Sequence, residues 1–162
     1  MKVNVINKSE NPLPKYAHPG DAGCDLYAAI NGNTCDHLYN AALLYDSLAG
    51  KWAINIQPGG RALIPTEIYT SFPEGYEVQI RSRSGLALKN GIAVINCPGC
   101  VDACYRSSWG VILINHGTQP FMVRSGDRIA QAIAVKVEPI EWNEVESLEE
   151  SERNTNGFGS TK

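Results

Sequence analysis

Asp102 and Tyr105 lie three residues apart, just behind a Pro98-Gly99 pair. A carboxylate can take a proton from a reacting group, and an aromatic ring can pack against the flat face of a bound molecule. The surrounding stretch, Gly91 to Arg106, reads as an apolar strand (Ile92 to Ile95), a tight Pro98-Gly99 turn and a returning segment, which predicts a β-hairpin. Such a turn leaves backbone N–H and C=O groups without ladder partners, and a ligand's polar edge can supply them. An ordinary hairpin with a surface Asp and a core Tyr fits the same letters.

Four further clusters have chemistry-bearing composition. Asp25 follows Pro19-Gly20-Asp21-Ala22-Gly23-Cys24, where a carboxylate beyond a tight turn can hold a metal-bound water. Arg81-Ser82-Arg83-Ser84-Gly85-Leu86-Ala87 gathers guanidinium, hydroxyl and flexible backbone, the groups a phosphate needs; a salt bridge and a turn would use the same residues. Gly126-Asp127-Arg128-Ile129-Ala130-Gln131 ends in a buried-strand amide, either an oxygen ligand or a plain strand residue. Phe158 stands between Gly157 and Gly159, ahead of Ser160 and Thr161, so the tail joins a stacking ring to hydroxyl and N–H donors.

The elements that position these residues follow from punctuation. Turn signals recur at Pro58-Gly59-Gly60, Pro73-Glu74-Gly75, Asn90-Gly91, Pro98-Gly99, His116-Gly117 and Ser125-Gly126-Asp127. Between them lie short strand-like runs: Val3 to Ile6, Arg61 to Ile64, Glu77 to Ile80, Ile92 to Ile95, Val111 to Ile114 and Arg128 to Val137. Many short strands predict a mainly β fold, a sandwich, jelly roll or barrel. From Asp36 to Ala49 the pattern changes. Leu38, Ala41, Ala42, Tyr45 and Leu48 recur at helical spacing with Gly50 just beyond, which predicts an inserted amphipathic helix that packs on the sheet or, less simply, binds a protein partner. After Val137 the chain turns acidic and then rich in Gly, Asn and Ser, the composition of an arm rather than a packed element.

With 162 residues the chain fits one domain with its own core. A net charge of −3 with isolated arginines (Arg81, Arg83, Arg124, Arg128, Arg153) argues against a nucleic-acid surface and suits one small anion. No run approaches the roughly 18 apolar residues of a membrane span, so a soluble, cytoplasmic protein is expected. The odd count of five cysteines fits reduced thiols. Cys97-x2-Cys100 is half of a zinc site, but no second pair completes it.

Taken together and in order, Ala22-Gly23-Cys24-Asp25-Leu26, Arg83-Ser84-Gly85-Leu86-Ala87, Asn96 through Tyr105, Arg128-Ile129-Ala130-Gln131 and Arg153 through Thr161 resemble the five motifs of the trimeric dUTPases. The resemblance spans nearly the whole chain outside Asn31 to Trp52. It implies a jelly-roll domain (1–137, with the insertion at about 31–52), an arm (138–162) closing over the active site, a homotrimer with interfacial sites, and hydrolysis of dUTP to dUMP and pyrophosphate with Mg2+. It implies that Asn96 and the backbone of Gly99, Cys100 and Val101 match uracil, that Tyr105 lies under the deoxyribose, and that Asp102 deprotonates the water attacking the α-phosphorus. Ser84, the Gly85 N–H and Gln131 would hold the triphosphate, with Arg83 and Arg153 at its outer end. Asp25 would bind the metal through waters. Phe158 would stack on the uracil, with Gly159 also binding substrate and Ser160 and Thr161 closing on the γ-phosphate. Cys97, Cys100 and Cys104 would pack compactly in the base-and-sugar pocket. Two departures stand out: Ser107-Ser108-Trp109 where the family continues Gly-Glu, and Asn154-Thr155-Asn156 where a Gly follows Arg153. A dCTP deaminase, which shares the fold, and a nucleotide-dependent regulatory binding protein acting through the inserted helix are the rival readings.

Overall fold

A computed structural model describes residues 1–34 and 36–151. The chain runs through β1 (Asn4–Asn7), β2 (Cys24–Tyr27), β3 (Leu38–Asp46), β4 (Lys51–Pro65), β5 (Ile68–Ser71), β6 (Tyr76–Arg81), α1 (Ser84–Asn90), β7 (Ile92–Val94), β8 (Gly99–Asp102), β9 (Gly110–Asn115), β10 (Phe121–Arg124) and β11 (Arg128–Lys136). One sheet has the order β10-β4-β9-β7, with β3 added on β4; a second has the order β2-β11-β6-β8; β1 and β5 form a separate pair. Every pairing is antiparallel.

Strand periodicity builds the core. In β9, Val111, Leu113 and Asn115 are buried while their neighbours are less so, the two-residue alternation of a half-buried strand. Leu26, Val78, Ile80, Val101 and Ala130 from one sheet and Ile54, Ile56, Ile64, Ile92 and Val111 from the other belong to a single buried cluster. The two sheets therefore share one core, and beside Thr66 and Thr70 the buried polar residues include Asn115. Its amide donates to the carbonyls of Ile56 (2.9 Å) and Gln119 (2.8 Å), and its Oδ1 accepts from Gly117 N–H (2.8 Å). That satisfies a group whose burial alone would be costly.

The mainly β reading holds, but three local expectations do not. The segment expected as a helix is strand β3, paired with β4 from Leu38↔Ala62 to Asp46↔Lys51. Leucine and alanine favour helix only weakly, and pairing along β4 overrides that preference. Gly50, expected as a helix cap, has φ 64° in the hairpin turn; helix ends and tight turns both favour glycine at positive φ. The suggested helical surface for a protein partner is thus absent. Pro58-Gly59-Gly60 is a bend inside β4 rather than a turn between strands.

The third correction concerns Gly91 to Arg106, which is not a hairpin. β7 pairs with β9 and β8 pairs with β6, so the chain crosses from one sheet to the other through residues 95–98, across a cis Cys97–Pro98 bond. Ile92 and Val94 face the core from one layer, Gly99 and Val101 from the other. An arch of this kind opens a cleft where a hairpin would close it.

Candidate active site

The arch frames a cavity of about 200 Å3, lined by Ile80, Val94, Asn96, Gly99, Cys100, Val101, Tyr105, Trp109 and Gly110. Five residues assigned to uracil and deoxyribose recognition, Asn96, Gly99, Cys100, Val101 and Tyr105, thus meet in one place. Gly99 sits close to two of these neighbours: a Cβ would stand 3.3 Å from Asn96 Nδ2 and 3.4 Å from Ile80 Cβ. Tyr105 is held from both ends, its N–H donating to Asp102 O (3.1 Å) and its hydroxyl to Ser108 O (3.2 Å). The Ser107-Ser108-Trp109 departure therefore shapes the wall of this cavity. Trp109 is 5% exposed, and its indole N–H has no partner among the described residues.

Asp102 ends β8 on the exposed face, alternating with buried Val101. Cys100, on the same face, donates its thiol to Glu77 Oε2 at 2.6 Å and lies 3.6 Å from Asp102 Oδ1. Glu77 stands opposite Asp102 in the β6–β8 register. The thiol's bond to the Glu77 carboxylate, reinforced by burial and the nearby negative charge, pushes Cys100 up to about 12. The same bond holds Glu77 below the usual carboxylate range. The expected compact packing of cysteines fails for Cys97 and Cys104, which are exposed and line no part of the cavity; Cys100 lines it but is exposed too.

A second group gathers around Asp25 on β2. Arg128 Nη1 donates to Asp25 Oδ2 at 2.9 Å, and Arg83 Nε lies 3.2 Å from Oδ1. Arg83 Nη1 also donates to Arg128 O at 2.7 Å. The separation of Arg83 and Oδ1 is that of an ion pair, but its alignment is not that of a hydrogen bond. Oδ1 is therefore buried with no hydrogen-bond donor among the described residues. Gln131, half-buried in β11, pairs with Asp25 on one side and Arg81 on the other.

Ser84 and Gly85 open α1, not a flexible loop. The first N–H groups of a helix lack intrahelical acceptors, which leaves the Gly85 N–H available to an anion. The Arg81–Ser84 connection is tied to the cavity by one bond, Val94 N–H to Ser82 Oγ at 2.9 Å.

The assigned residues thus form two groups on one chain: Asn96, Gly99, Cys100, Val101 and Tyr105 around the cavity, and Asp25, Arg83 and Gln131 with Arg128. The cavity lining includes none of the second group. Arg153, Phe158, Gly159, Ser160 and Thr161 lie outside the described residues. The pairing of Arg128 with Asp25, and any part for Glu77 or Trp109 in the site, are not legible in the sequence. Arg128 stood inside a quoted motif and was the one within reach of discovery; the other two depend on pairing across strands.

A dUTPase family model matches residues 39–162. A deoxyuridine 5'-triphosphate nucleotidohydrolase of Finegoldia magna is 45% identical over 99% of both chains. Among solved structures, a variant dUTPase of Staphylococcus bacteriophage 80alpha carrying dUpNHpp superposes with a TM-score of 0.76 at 24% identity, covering 98% of this chain and 97% of its own. A variant dUTPase of phage phi11 of S. aureus, whose structure concerns coordination of a structural Mg(II) ion, gives 0.72 at 22% identity, covering 93% and 100%. On the family match and the close relative, this chain belongs to the dUTPase family.

Proposed function

We propose that the chain hydrolyses dUTP to dUMP and pyrophosphate, with Asp102 as general base and the cavity under the arch as the deoxyuridine site. The observation that carries this is the meeting of Asn96, Gly99, Cys100, Val101 and Tyr105 in one cavity at the end of the strand that bears Asp102.

In this reading Asn96 and the β8 backbone match the uracil edge, and a mismatched donor pattern, as in cytosine, is rejected by about 10⁴-fold. Tyr105, pinned by Ser108 O, supports the sugar and excludes a 2′-hydroxyl. The Asp102 carboxylate takes a proton from water as the water oxygen bonds to the α-phosphorus and the bond from that phosphorus to the bridging β-phosphate oxygen breaks. Pyrophosphate leaves with the electron pair. Ser84, the Gly85 N–H, Gln131 and Arg83 grip the phosphates, joined by Arg153, while Phe158, Gly159, Ser160 and Thr161 close the site from the arm.

The donor set around Asp25 fits Mg2+ held through waters. Asp25 Oδ1, buried beside Arg83 but without a hydrogen-bond donor among the described residues, can accept from a metal-bound water, and among those residues no group of three or more His, Cys, Asp or Glu forms a direct cage. When bound, the ion would neutralise phosphate charge and orient the chain of phosphates. The separation of the two residue groups supports a jelly-roll homotrimer with sites completed between subunits, the arm (138–162) serving a neighbouring domain (1–137). No helix among the described residues is long and apolar enough to cross a membrane, and a cytoplasmic nucleotide enzyme that limits uracil incorporation into DNA and supplies dUMP is the physiological reading.

Asp102→Asn tests the assignment. Binding of dUpNHpp should persist while turnover falls by at least about 10²–10⁴-fold, the range of general-base effects. Near-normal turnover would place the base elsewhere.

A further inference from the structure

The β3–β4 hairpin is the part of the chain for which the family motifs give no purpose. Its turn lies against the turn that precedes β11. Arg124 Nε, at the end of β10, donates to Asp46 Oδ2 at 2.8 Å. Asp46 is fixed from its own side, since Oδ1 accepts from the N–H groups of Leu48 and Ala49, each at 3.1 Å. On the other hairpin strand, Trp52 O accepts from Ser125 N–H at 2.9 Å, and Arg124 pairs with Ala53. Lys51 completes the contact: a Cβ at Gly126 would come within 3.3 Å of its Nζ.

The turn so held is itself closed. Asp127 Oδ2 accepts from Arg124 N–H at 2.8 Å, and Asp127 N–H donates to Arg124 O at 3.0 Å. Its far side is bonded to the chain leaving β2, through Gly126 N–H to Ala28 O and Ala28 N–H to Asp127 O, both at 2.8 Å. The next residue is Arg128, whose guanidinium holds Asp25 and whose carbonyl accepts from Arg83. A continuous set of bonds therefore runs from the hairpin tip, through the 124–127 turn, to the Asp25–Arg83–Arg128 group.

We infer that the β3–β4 hairpin is a strut that sets the phosphate-side group, with Asp46 as a positioning residue acting through Arg124. The inference rests on the reading of Asp25 and Arg83 as phosphate and metal residues. The Arg124 bond also holds Asp46 below the usual carboxylate range, so the pair stays charged at neutral pH. Asp46 touches neither Asp25 nor Arg83, so its effect must pass through the geometry of the turn. That effect should fall on the triphosphate and spare the base and sugar, whose cavity is lined by Ile80, Val94, Asn96, Gly99 to Val101, Tyr105, Trp109 and Gly110, none of them in the hairpin turn or the 124–127 turn.

The test compares equilibrium binding of dUpNHpp and of dUMP by titration calorimetry, alongside steady-state hydrolysis of dUTP. Asp46→Asn should weaken dUpNHpp about three- to five-fold, the scale of one partly exposed ion pair, with dUMP affinity unchanged. The charge-reversed double variant Asp46→Arg with Arg124→Asp should recover most of the loss, which a purely local packing defect would not do. Unchanged dUpNHpp affinity, equal weakening of both ligands, or no recovery in the double variant would each overturn the inference. Asp25→Asn serves as the control for the underlying reading. If it leaves dUpNHpp binding intact, the phosphate assignment fails; if it weakens that binding while Asp46→Asn does not, only the strut fails.

Discussion

The Cys100 thiol sits beside two carboxylates, and that placement decides what it can do. A thiol must lose its proton to act as a nucleophile, yet here the proton is held against Glu77 at 2.6 Å and the ordinary value of 9.0 is pushed up to about 12. Iodoacetamide at pH 8 should therefore modify exposed Cys97 and Cys104 while sparing Cys100, read by peptide mass mapping, and Glu77→Gln should make Cys100 react. Equal labelling of all three in the unmodified chain would contradict the assigned bond. The pair also has a signed effect on stability. Cys100, raised in the fold, stabilises below its ordinary value and loses that contribution as pH climbs from about 9.0 toward about 12; Glu77, lowered, stabilises above its ordinary value of 4.5 and loses that contribution as pH falls below it. At this scale the sequence was informative where one short stretch supplies neighbours in space, as with Asn96 and Tyr105, which line one cavity. It was silent on Arg128 with Asp25 and on Cys100 with Glu77, because both pairs are made by the register of strands far apart in the chain.

Among the elements, β3 and the 91–106 arch show why local patterns mislead. Leu38, Ala41, Ala42, Tyr45 and Leu48 match helical spacing, but a strand whose two faces are both partly exposed has no strict alternation to betray it, and β3 is such a strand. Its partner decides the outcome. At Asn40 the pairing slips, and Gly60 lies against that bulge so closely that a Cβ would stand 2.3 Å from Asn40 O and 2.9 Å from Gln57 O. Neither backbone oxygen can move without disturbing the hairpin. Gly60→Ala should thus destabilise the protein by about 1–3 kcal/mol in urea denaturation, as overpacking does; a change within about 0.5 kcal/mol would mean that the bulge is not where it is placed. The arch was unreadable for a different reason. Two apolar strands joined by a Pro-Gly pair look alike whether they pair with each other or face one another across a core.

At the scale of the whole molecule, the mainly β class was legible from turn punctuation, since each of the six strand-like runs falls on a strand. The pairing of distant strands into two sheets around one core was not, for short strands carry no label of their partners. Residues 138–151 form no helix or strand, and Ile140, Trp142 and Leu148 are at least 70% exposed in the single chain. That exposure is compatible with the proposed arm. A chain ending at Ser151 should keep its oligomeric mass in sedimentation while dUTP hydrolysis falls by an order of magnitude or more, because closing segments act on bound substrate and not on assembly. Normal hydrolysis by the shortened chain would make the terminal Arg153 to Thr161 motif dispensable.

In the proposed reaction the cavity under the arch selects deoxyuridine and Asp102 beside it drives release of pyrophosphate. Pyrophosphate release measured with dUTP, dTTP, dCTP and UTP, each with Mg2+, tests it most directly. Release from dUTP should be rapid, with each of the other three slower by orders of magnitude. Comparable release from UTP or dTTP, or ammonia from dCTP without pyrophosphate from dUTP, would contradict it.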